Sequence, residues 1–145
     1  MLVDHILQTK GTLVYTVPTT ASISEAVDIL NANNIGAVVV TDESDLVVGI
    51  LSERDVVRQL GGDPVRALAR SVSECMSSSV ITCSRDTTVA IVMERMTTFR
   101  VRHIPVMEDG DLVGIVSIGD VVKRKIEEAE QEASDLRDYI ASGVA

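Results

Sequence analysis

Ser52 and Asp55, and again Ser117 and Asp120, stand in a repeated G-I-x-S-x-x-D pattern whose residue types suit a sugar phosphate. A glycine after an apolar run lets another group approach the backbone closely. Serine at the turn into a helix can cap it, and its hydroxyl and the first free N–H groups then face an anion, phosphate above all. The aspartate three residues on lies in the first helical turn. There its charge complements the helix dipole, and its two oxygens can accept a pair of vicinal hydroxyls such as a ribose offers. The same S-x-x-D spacing is also an ordinary capping arrangement. A second constellation is Arg100, Arg102 and His103, ahead of Ile104-Pro105-Val106. Arginine supplies planar multidentate donors for phosphate, and histidine a donor that depends on pH. The bland alternative is a solvated strand end. Arg54, between the Ser and the Asp of the first motif, can join this charge field, whereas its counterpart Gly119 cannot. The two prospective sites are therefore chemically unequal.

Catalytic signatures are missing. The chain has no G-x-G-x-x-G, P-loop, H-E-x-x-H or G-x-S-x-G. His5, His103, Cys75 and Cys83 lack the paired spacings of a zinc site, so no metal is expected. Cys83 is expected to be buried. Asp55 and Asp120 occupy equivalent places in two halves, which argues for one carboxylate in each of two sites rather than an acid–base pair.

An internal repeat positions these residues. Gly49–Arg58 recurs as Gly114–Lys123 with six of ten positions identical, at an offset of 114 − 49 = 65. Upstream, Val14-Tyr15-Thr16 aligns with Val80-Ile81-Thr82 at an offset of 66, and the difference falls in the turns TDESD and MEDGD. Ile23, Ala26, Val27 and Leu30 make one apolar helix face, and Val89, Val92, Met93 and Met96 repeat it. Ser22 with Glu25 predicts a capping box, and Thr88 a cap without the glutamate. Two apolar runs joined by a polar turn then read as a hairpin (Ala37–Val40 with Leu46–Leu51; Ile104–Met107 with Leu112–Val116). A short helix follows. The unit is β-α-β-β-α, twice, and each copy is too small to bury its helix faces alone.

Beyond the second copy, Val122, Ile126, Ala129, Ala133, Leu136 and Ile140 form a heptad-like seam. That helix is expected to pack on its own domain or on a dimer mate. Val3, Ile6 and Leu7 suggest a short N-terminal helix. The 145 residues carry a net charge of −9 and 2% aromatics, a poor composition for coating nucleic acid or anionic lipid. No apolar run approaches the ~20 residues of a membrane span. The N-terminus does not read as a secretion signal and two cysteines make no disulfide framework, so a cytoplasmic location is expected.

Both G-I-x-S-x-x-D motifs, R-H-I-P-V and the duplicated unit together resemble a tandem pair of CBS (cystathionine β-synthase type) domains, of the small stand-alone bacterial kind. The resemblance implies an α+β fold. In it, two β-α-β-β-α repeats pack sheet to sheet with pseudo-twofold symmetry, followed by a long C-terminal helix. Repeat one with the N-terminal helix would span 1–62, a linker 63–72, repeat two 73–126 and the helical extension 127–145.

The same resemblance implies no enzyme. It implies a regulatory module that binds an adenine nucleotide (AMP, ATP or NAD(H)) in clefts between the repeats. The module would form a homodimer and signal to a regulated protein; a purely structural dimerisation module is the alternative. In one cleft Asp120 and Ser117 would hold ribose and phosphate, with Val14, Tyr15, Ile35, Ala37 and Ile115 around the base. In the other, Asp55 and Ser52 would do so, with Val80, Ile81, Val101 and Ile50 around the base and Arg54, Arg102 and His103 at the phosphates. Gly36-Ala37 stands where the second repeat has Arg102-His103, so the clefts are expected to differ in affinity.

Overall fold

The apolar helix faces and their caps fold as their spacing requires. In the computed structural model, which describes residues 1–143, Ser22 Oγ accepts from the Glu25 amide at 3.1 Å and Glu25 Oε2 accepts from the Ser22 amide at 3.3 Å. Helix α2 (Ile23–Asn33) buries Ile23, Ala26 and Leu30. Its counterpart α6 (Val89–Phe99) is capped by Thr88 and buries Val89, Val92 and Met96. The first half also holds α1 (Val3–Lys10), β1 (Thr16–Pro18), β2 (Ala37–Thr41), β3 (Val47–Ser52) and α3 (Glu53–Gln59). The second half holds β4 (His103–Glu108), β5 (Asp111–Ser117) and α7 (Ile118–Ala141). The equivalent bonds Glu53 N–H to Gly36 O and Ile118 N–H to Arg102 O fasten each final helix to its own hairpin.

Three features depart from the sequence expectation. First, the sheets are unequal. The first is β1-β2-β3, with β1 parallel to β2, and the second is β4-β5 alone. Val80-Ile81-Thr82 forms no strand, and one parallel bridge, Cys83 to Val106, stands in its place. Pro105 is the reason. In the first half the Val39 amide donates to Tyr15 O at 3.2 Å, and the equivalent residue, Pro105, has no N–H to give.

Second, the segment expected as a linker, 63–72, contains a helix. Asp63 caps α4 (Pro64–Ala69), whose Ala67 is buried, and α5 (Val72–Cys75) follows. Helix α1 packs into the core of the second half, where Val3, Ile6 and Leu7 join Val89, Val92 and Ile104. Helix α5 packs into the first, with Val72 and Cys75 against Ile23, Leu30 and Leu51. The exchange is reciprocal: Val3 N–H donates to Thr87 O at 2.9 Å and Val72 N–H to Ala21 O at 2.8 Å. Each half therefore completes its core with the segment that precedes the other.

Third, α7 is one continuous helix from the second motif, and Val121 is its buried residue. The seam, expected to pack on its own domain or on a dimer mate, does not pack on its own domain: its six residues face outward. Cys75 and Cys83 are both buried free thiols.

Candidate functional site

The strand-to-helix turn between β3 and α3 delivers the first motif to a cavity of about 450 Å³, inside the range of roughly 300–1,000 Å³ typical of small-molecule sites. Ser52, Arg54, Asp55, Arg102 and His103 line it, with Ile50 and Val101. The structure thus brings together seven residues singled out for this cleft. Val80 and Ile81 are not among its lining; Ile81 packs on the second core instead. The cavity also takes Gly36, Glu53, Arg58, Ser77, Phe99 and Arg100. Arg58 lies four residues after Arg54, on the same face of α3, a spacing that already announced it. Arg100 caps α6 in the left-handed conformation, φ 54°, as Asn34 (φ 51°) caps α2. That conformation is uncommon for arginine, and it places a fourth guanidinium at the cavity. Ser77 is held by paired backbone bonds with Ile50, each 3.0 Å.

The capping reading of S-x-x-D is correct as far as it goes. Asp55 Oδ2 accepts from the Ser52 amide at 2.9 Å and from Ser52 Oγ at 3.1 Å, and the Asp55 amide donates to Ser52 Oγ at 3.3 Å. These bonds use one carboxylate oxygen and fix the side chain at the cavity. The cap therefore orients the carboxylate without consuming it.

His103 enters the same cavity beside Glu53, across Gly36. A Cβ added at Gly36 would lie 2.8 Å from Glu53 Oε1 and 2.9 Å from His103 Nε2, so glycine makes that approach feasible. Burial pushes the His103 imidazole below its ordinary 6.5; Glu53 and Asp120 pull it back, and Lys10 and Arg102 push it further down. A histidine lowered in the folded state binds fewer protons than the unfolded chain, so its contribution is full above 6.5 and is lost as pH falls through that value to the folded one. Denaturant unfolding between about pH 7 and pH 5 is expected to show this loss. His103→Gln should remove that component and leave the others.

The second motif meets a different neighbour. Ser117 N–H donates to Asp120 Oδ2 at 2.9 Å, repeating the cap, but Lys10 Nζ also reaches Asp120 Oδ2 at 2.7 Å and Ile115 O at 2.9 Å. Burial alone would raise the Asp120 carboxyl; the Lys10 ammonium and the Ser117 bonds outweigh it and hold it below the ordinary 3.8. The cavity left there is about 60 Å³, lined by Ile6, Thr9, Lys10, Asp120, Lys123, Arg124 and Glu127. Of the residues expected around this cleft, Asp120 is the one on that wall. Val14, Ala37, Ser117 and Ile115 are not, and Tyr15 and Ile35 pack against the first core. The two motifs thus have unequal surroundings: Lys10 of helix α1 holds Asp120, and guanidinium groups surround Asp55.

Among the described residues no three His, Cys, Asp or Glu side chains gather as metal ligands, and no helix is long and apolar enough to cross a membrane. A duplicated helix–hairpin–helix unit, with an arginine-lined cavity walled by both halves, matches the architecture of a CBS pair. The CBS domain profile matches residues 12–62 and 72–127, and the chain belongs to that family.

The solved CBS-domain containing protein ATU1752 of Agrobacterium tumefaciens is 47% identical with a TM-score of 0.83, over 86% of this chain and 92% of that one. The CBS domain protein PAE2072 of Pyrobaculum aerophilum, solved in complex with AMP, is 28% identical with a TM-score of 0.74, over 83% and 89%. The mitochondrial CBS domain-containing protein CBSX3 of Arabidopsis thaliana is 35% identical over 84% of this chain, which spans 61% of that relative's length.

Proposed function

We propose that this CBS pair is a regulatory adenine-nucleotide sensor rather than an enzyme, acting as a cytoplasmic homodimer. It binds AMP, ATP or NAD(H) in the cleft of Ser52 and Asp55. The observation that carries the reading is the convergence of Asp55 with Arg54, Arg58, Arg100, Arg102 and His103 on one cavity of about 450 Å³ in a chain of net charge −9. A carboxylate suits ribose hydroxyls and guanidinium groups suit phosphates. Ile50 and Val101 offer apolar walls for a base, and Phe99 a ring face on which it can stack. The AMP complex of PAE2072 supports the ligand class. The cleft takes walls from both halves, so a ligand that favours one relative arrangement shifts their equilibrium, and a regulated protein reads the shift.

Thermal unfolding with saturating AMP, ATP, NADH or GTP tests the reading. At 100 times its dissociation constant a ligand adds about 2.7 kcal/mol. The adenine nucleotides are expected to raise the melting temperature, and GTP to do so less. No shift with any of the adenine nucleotides would overturn the sensor and leave the structural dimerisation module.

A further inference from the structure

The outward face of α7 carries more apolar surface than an unpartnered helix keeps. Ile126, Leu136 and Ile140 are 54%, 60% and 69% exposed, and with Val122, Ala129 and Ala133 they advance by four and three residues in turn. The helix is 24 residues long, and its one buried residue, Val121, lies near its start. A helical arm of that kind draws little stability from propensity alone and needs a packing partner.

We infer that this seam pairs with the α7 of a second copy of the chain as a short parallel two-stranded coiled coil. The inference rests on the homodimer proposed above and adds where it closes and in which direction. Ile126, Ala133 and Ile140 take the a positions, and Val122, Ala129 and Leu136 the d positions. Isoleucine at a with leucine at d favours two strands. The flanking charges select the direction. The g and e positions are then Lys125 and Glu130 across one heptad boundary, and Glu132 and Arg137 across the next. In a parallel pair each g residue faces the following e residue of the partner, which gives Lys–Glu and Glu–Arg contacts twice over by symmetry. An antiparallel pair would set e against e and g against g. Lys123 would then face Arg137, and Glu130 and Glu132 would each face their own copies. Lys125 has only a 3.5 Å surface contact to Glu128 of its own helix to give up, with both side chains partly exposed.

Sedimentation equilibrium of the full chain and its variants at micromolar concentration tests this. The wild type is expected to be a dimer, and Ile126→Asp with Leu136→Asp to be a folded monomer. Lys125→Glu should weaken the dimer about tenfold at low salt. Adding Glu130→Lys should restore it. Direction is read separately: Ile140→Cys is expected to form a disulfide-linked dimer on oxidation, since a parallel pair sets Ile140 beside its own copy. A monomeric wild type would sink the homodimer itself. A dimer untouched by the two aspartates would leave the homodimer standing and overturn the seam. A disulfide that forms only when Ile140→Cys is mixed with Val122→Cys would overturn the parallel direction.

Discussion

Asp55→Ala is expected to weaken adenine-nucleotide binding by about 10- to 100-fold, the worth of a hydrogen bond to a charged group. Asp120→Ala is expected to change it by less than about threefold. The two aspartates share a motif, a helix position and a cap, so a purely structural role would make their losses alike. The surroundings separate them. Asp55 opens on a cavity of about 450 Å³ edged by four arginines, whereas Asp120 is held by Lys10 beside one of about 60 Å³.

Either variant keeps its serine cap and loses the reciprocal bond from the serine amide to the carboxylate, at a cost of about 1 kcal/mol, so affinity must be read where both are folded. The sugar supplies the control. If Asp55 accepts from a ribose hydroxyl, wild type prefers AMP to its 2′-deoxy form by a factor that Asp55→Ala abolishes, as a double-mutant cycle between protein and ligand. Equal preference in both proteins, by isothermal titration, would separate Asp55 from the sugar.

What was legible in the sequence is what depends on short spacing. The apolar faces of α2 and α6, the Ser22–Glu25 box and the duplicated motif each span a few residues, and local sterics settle them. Arg54, Arg102 and His103 were legible because their counterparts Gly119, Gly36 and Ala37 differ so sharply in charge. The missing strand at Val80–Thr82 was visible only through Pro105, because a proline matters there once strand pairing is known.

The exchange of α1 and α5 was hidden by a change of register. Val3, Ile6 and Leu7 match Val72, Cys75 and Met76 at an offset of 72 − 3 = 69, whereas Val14 and Val80 match at 80 − 14 = 66. The three-residue difference lies between Leu7 and Val14, the stretch that carries Lys10. A contact between Lys10 and Asp120, 110 residues apart, has no local signature. It is a property of the packing of Leu7 against Gly114, where an added Cβ would lie 2.7 Å from Leu7 Cδ2.

Lys10→Met is therefore expected to change how many nucleotides the protein holds. In wild type the Lys10 ammonium pairs with the Asp120 carboxylate at Oδ2 and donates to the Ile115 carbonyl, and a ligand that needs that charge must displace it. The pair, with 31% and 23% of its two side chains exposed, is worth about 1 kcal/mol. The carboxyl held below 3.8 contributes its stability above that value and loses it as pH falls through the lowered one. Lys10→Met should remove most of that acid-linked component, since methionine keeps the stem of the side chain and drops the charge.

With the ammonium gone, the Asp120 carboxylate is no longer paired with a cation, and isothermal titration with AMP should rise from one site per chain to two. The added site should bind less tightly than the first, because Gly119 and Gly36 stand where the first has Arg54 and Arg102. A folded Lys10→Met protein that still binds a single AMP would show that Ile6 and Thr9, on the same helix, close the cleft without the charge.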